Sequence, residues 1–161
     1  MKKAFFIFFF FLAGTAFAQE FTFRGLPWGA SVEDVIAKEG EPDRPPWFRG
    51  EYGMIEYYDK KTGGYTATFL SFHFRNNKLS WASYFIKVNP DNISYICADL
   101  VNKLSLLYGT PIDEINSQFE IECYWVVKKT KISFKYNLKT SEKTNISISY
   151  ESPERFEFGG L

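Results

Sequence analysis

The sequence predicts an α+β fold: two helix-then-antiparallel-strands units forming a curved antiparallel sheet with the helices on one face. Three observations predict it. Two stretches carry apolar residues at helical spacing, and each closes with Gly-x-Pro, at Gly40-Glu41-Pro42 and Gly109-Thr110-Pro111. Each is followed by alternating runs rich in Phe, Tyr, Trp, Ile and Val. In the first of those runs Asn76-Asn77 sits where a two-residue hairpin turn belongs, because Asn tolerates positive φ.

The chain opens with a segment of another kind. Lys2 and Lys3 precede an unbroken apolar run from Ala4 to Leu12, and Ala16-Phe17-Ala18 places small residues where a signal peptidase reads. The apolar stretch is shorter than the roughly 20 residues that span a bilayer. Residues 1–18 therefore read as a signal peptide, removed after Ala18, and the mature chain as periplasmic or secreted. Residues 19–161 then form a single α+β domain, read as two diverged repeats, 24–88 and 89–151, with a short tail, 152–161.

The first helix is specified at both ends. Ser31 is its N-cap, with Asp34 in the place of the capping-box acid, and Val32, Val35 and Ile36 form its apolar stripe. Leu26 and Trp28 fold back onto that stripe. "RPPWFRG" follows as an irregular loop, since consecutive prolines suit neither helix nor ladder. "EYGMIEYYD" is a strand. The hairpin around Asn76-Asn77 sets Phe74 opposite Leu79, Phe72 opposite Trp81 and Thr68 opposite Phe85 on the core face. Its other face is polar near the turn and turns apolar towards its base, at Tyr65, Phe69, Tyr84, Ile86 and Val88.

The second helix is capped by Asn89 or Asp91, with Pro90 in its first turn and a stripe of Ile93, Ile96, Cys97, Leu100, Leu104 and Leu107. A turn around Lys129-Thr130 then sets Val127 opposite Ile132 and Cys123 opposite Tyr136, and "TNISISY" adds a last strand. Cys97 and Cys123 both fall on core-facing positions. In an oxidising compartment they are expected to form a disulfide.

The first helix, with Gly29, Ser31, Val35, Gly40 and Pro42, resembles the opening helix of small exported modules related to the SmpA/OmlA (BamE-like) proteins. The two-unit arrangement resembles tandem modules of the β-lactamase-inhibitor-protein type. The resemblance covers residues 26–43, and 89–111 more loosely. It implies a protein-binding role and carries no site residue over by position.

The chemistry of the chain is restricted. Total charge balances at 19 cations and 19 acids, so loss of Lys2 and Lys3 leaves the mature chain slightly acidic. No basic surplus exists to neutralise a phosphate backbone, which argues against nucleic acid. One histidine and two separated cysteines do not make a typical zinc set, so no metal or other cofactor is expected. No nucleophile elbow, phosphate loop or dinucleotide fingerprint is present. The expected function is a non-catalytic binding module, not an enzyme, that holds another envelope protein. Candidate contacts are Trp47 and Phe48 on the loop and Tyr65, Phe69, Tyr84 and Ile86 on the sheet face. The alternatives are a binder of a small apolar or sugar ligand in a pocket, and a hydrolase using acidic residues.

Overall fold

The protein is described by a computed structural model covering residues 20–117, 120–137 and 145–158. The expected signal peptide, residues 1–18, lies outside the described residues, as do residues 159–161 of the tail.

Eight strands form one antiparallel sheet: β1 (Trp47–Arg49), β2 (Tyr52–Tyr58), β3 (Phe69–Arg75), β4 (Lys78–Lys87), β5 (Asp113–Asn116), β6 (Glu120–Val127), β7 (Thr130–Asn137) and β8 (Asn145–Glu151). Their spatial order is β1-β2-β3-β4-β8-β7-β6-β5, so two four-strand meanders join through β4 and β8. Among the described residues three α-helices accompany the sheet: α1 (Val32–Glu39), α2 (Ile93–Tyr108) and α3 (Pro153–Phe158).

This architecture corrects the expected fold class. The described residues are mostly sheet, with a single long helix among them, α2, and not two helix-then-strands units with their helices on one face. Pairing β4 with β8 satisfies two rows of backbone groups that would otherwise be edges, and it merges the strands into one sheet. The sheet face that carries Trp81 receives α3, which packs against β4 and β7. The stretch 152–161, expected as a tail, thus contributes a helix to that face.

Local chemistry explains the element ends. Ser31 Oγ accepts from the Asp34 amide at 3.1 Å and Asp34 Oδ2 accepts from the Ser31 amide at 2.9 Å, a reciprocal capping box. Gly40 ends α1 at φ +92°, a conformation side chains resist. Asn89 caps a short 3₁₀ turn, Pro90–Asn92, that leads into α2. Cys97, Leu100 and Leu104 of α2 join Phe72, Phe134 and Ile148 of the sheet and Val35 of α1 in one core, whereas Leu107 is 72% exposed. The Trp28 indole donates to Thr130 Oγ1 at 2.7 Å, fastening the lead-in of α1 to the β6–β7 hairpin.

Two registers differ from expectation. The β6–β7 turn is Lys128-Lys129, both at positive φ, so Val127 faces Thr130 and Cys123 faces Phe134. That is a shift of two residues, which leaves every side chain on its expected face. The β3–β4 hairpin changes more. It starts as expected at Asn76-Asn77, with Phe74 opposite Leu79, but an extra residue, Ser80, then intervenes and His73 faces Trp81. Backbone demand accounts for the bulge. Leu79 donates to the Ala30 carbonyl at 2.8 Å and accepts from the Gly29 amide at 2.9 Å, while the Ser80 carbonyl accepts from the Ser152 amide at 2.9 Å. Beyond the bulge, each β4 side chain lies on the face opposite to the one expected.

Candidate binding cleft at the sheet edge

The bulge decides which expected site residues reach a surface. Tyr84 and Ile86, expected on the outer face, are core residues at 4% and 2% exposure. Val88 is buried with them. Tyr84 instead packs beside Phe23 and Tyr150, and its hydroxyl accepts from Arg24 Nη1 at 3.2 Å. Phe69 does lie on the outer face, stacked on Phe85 with ring centroids 4.4 Å apart. Tyr65 belongs to a separate two-residue ladder, Lys61–Thr62 with Tyr65–Thr66, and its hydroxyl donates to Asp99 Oδ2 at 2.8 Å beside Lys103. The sheet-face candidates therefore do not form one patch.

Trp47 and Phe48 do remain exposed, at 50% and 56%, and they sit on a strand, β1, where a loop was expected. Tyr52 on β2 joins them at 54%. The two prolines immediately precede β1, consistent with an edge position. Phe48 lies over Gly53, where a Cβ would come within 2.5 Å of its ring. A glycine here lets the aromatic ring approach its cross-strand neighbour.

On the outer face, cross-strand pairing aligns Trp47, Met54, His73 and Trp81 in one row. The adjacent row is Arg49, Tyr52, Arg75 and Lys78. Together with α3 these rows bound a cleft of about 740 Å³. Trp81 forms its inner end: the His73 imidazole stacks on the indole at 3.9 Å and the Arg155 guanidinium lies 4.3 Å from its centroid. Arg155 is itself held by Glu151 at 3.4 Å, and Arg75 by Glu51 at 3.2 Å. A smaller hollow of about 340 Å³ lies beyond Trp47, lined by Arg44, Pro45, Met54 and Glu56, so Trp47 is the wall between two concavities.

His73, on the outer face of β3, is half-buried against Trp81. Burial, and then the nearby Arg155 charge, push its pKa down to about 4, so the ring is neutral at physiological pH. Its Nε2 is hydrogen-bonded to Ser71 Oγ at 2.9 Å, and Ser71 Oγ to Ser83 Oγ at 3.0 Å. A serine and a histidine in contact could be a nucleophile and its base. Here both serines are fully buried and a substrate carbonyl has no approach to them, so the chain serves to order the interior of the outer layer.

Among the described residues every resolved carboxyl shift is downward; burial alone would raise Glu39, but Arg24 and Lys60 hold it below the usual range. No three His, Cys, Asp or Glu side chains among the described residues converge as a metal set. The expected disulfide is also corrected: Cys97 and Cys123 are buried free thiols, close enough that charge on Cys123 would disfavour charge on Cys97. Burial pushes their pKa values up to about 12 and about 11, which suppresses the thiolate that disulfide exchange requires.

The edge position of Trp47 and the roles of Tyr52, Trp81 and Arg155 were not recognised from sequence. The alternation in "EYGMIEYYD" could have placed Tyr52 beside Arg75, but no local signal marks the bulge that turns Trp81 outward.

No family model and no curated protein matches the chain. Two solved structures are similar in shape. One is a DUF4309 family protein from Bacillus subtilis, 15% identical, with a TM-score of 0.41, the match covering 76% of this chain and 78% of that one. The other is an extracellular protein containing an SCP domain from Bacillus anthracis, 13% identical, with a TM-score of 0.45 over 80% of this chain and 45% of that one. The chain thus spans less than half the length of the second protein. No helix among the described residues is long and apolar enough to cross a membrane.

Proposed function

We propose that this chain is an exported, non-catalytic binding module of the bacterial envelope that holds another protein at the β1 edge of its sheet. One observation carries the reading: Trp47 and Tyr52 present half-exposed rings on the outer face of an edge strand and its neighbour, and Phe48 presents a third on the opposite face of the same edge. Large rigid rings supply contact area at low entropic cost, and an edge strand offers backbone groups for pairing with an extended segment. Every carboxyl shift resolved among the described residues is downward, which weighs against the acid-residue hydrolase. Capture from envelope extract tests the reading, using the mature chain, Trp47→Ala/Phe48→Ala, and Leu106→Ala as a control at a distant exposed apolar site. A partner held by the wild type and the control but lost by the double variant is expected; equal capture by all three rejects the edge.

The cleft favours a second reading, a binder of a small ring-shaped ligand. Its volume of about 740 Å³ falls within the roughly 300–1,000 Å³ of ligand sites.

A further inference from the structure

The cleft has an unusual balance of lining groups. Its accessible apolar surface comes from flat rings, because the other large apolar side chains that line it, Phe74 and Leu79, are core residues. A pocket for a branched or acyl group needs aliphatic walls. Ring faces instead suit the C–H face of a pyranose, whose hydroxyls point outward to polar groups. Trp47 and Trp81 stand three strand spacings apart in the same row, about 14 Å, which spans a short oligosaccharide. Asn76 and Glu154 supply hydrogen-bonding heads at the rim.

The charges are equally specific. Arg75, Lys78 and Arg155 line the cleft against a single acid, Glu154. Glu51 and Glu151, which engage the two arginines, lie outside the lining and fix the guanidinium groups in place. Lys78 is exposed and makes no ion pair among the described residues. A neutral sugar leaves this ammonium unused, whereas a carboxylate on the ring would meet it.

We propose that the cleft binds an acidic oligosaccharide of the uronate class, its rings on Trp47 and Tyr52 and a carboxylate between Lys78 and Arg155. The assignment rests on the small-ligand reading of the cleft. It is tested by titrating the mature chain with trigalacturonate, with a neutral galactose trimer and with phenylacetate, following tryptophan fluorescence and heat. The expected result is binding of trigalacturonate alone, weakened by salt and about tenfold weaker in Lys78→Gln. Trp47→Ala should reduce it at least as much, while both variants keep the wild-type melting temperature. Equal binding of the neutral trimer, or an unchanged affinity in Lys78→Gln, overturns the acidic assignment and leaves the ligand reading standing. Binding of phenylacetate alone overturns the sugar assignment. No binding of any of the three overturns the assignment and the ligand reading together.

Discussion

The imidazole of His73 stacks on the indole of Trp81, with centroids 3.9 Å apart and planes 25° from parallel. Arg155 lies 4.3 Å from the centroid of the same indole. The stack therefore places a titratable ring near a permanent cation.

Stability should fall on acidification because of this stack. Unfolded, His73 takes its proton near its ordinary value of 6.5; folded, burial and Arg155 hold it down to about 4. The stabilising contribution is complete above pH 6.5 and is lost progressively as pH falls towards 4, by up to about 3 kcal/mol. Urea titrations at pH 7 and pH 4.5 measure the loss. His73→Phe retains a ring on Trp81 and should flatten that pH dependence; an unchanged slope in the variant assigns the effect to other groups.

Native Cys97 and Cys123 should resist alkylation, because both thiols are buried and their ionisation is suppressed. After denaturation without reductant, two thiols per chain should titrate. Finding none would establish a disulfide and contradict the free-thiol arrangement.

Gly53→Ala should destabilise the wild type by about 1 kcal/mol, since the new Cβ displaces the Phe48 ring. In a Phe48→Ala background the same change should be neutral or stabilising, because alanine loses less entropy than glycine in a strand. Thermal melts of the four proteins check the sign reversal. The same cost in both backgrounds would show that the ring does not lie over Gly53.

Much of the local structure was legible in the sequence, because caps and turns are written in adjacent residues. Ser31 and Asp34, Gly40, Asn89 and Asn76-Asn77 each satisfy or redirect nearby backbone groups and appear where expected. The sheet as a whole was not legible. The bulge at Ser80 answers to Gly29, Ala30 and Ser152, which are remote in sequence, and one inserted residue moved Tyr84 and Ile86 into the core. Likewise, the Pro-Pro pair excludes helix at positions 45–46, yet the next three residues pair with Tyr52–Met54 at the sheet edge. Trp47 and Phe48 survive as candidates because their exposure follows from that edge, whatever the register of β4.

The β1 edge as a docking site is tested most directly by placing a photo-crosslinking residue at position 48 in cells of the source organism, with a second at position 106 for comparison. A discrete adduct with one envelope protein from position 48, and none from position 106, is the predicted result. Adducts from position 106 alone, or none from position 48 while the protein is folded and exported, would contradict it.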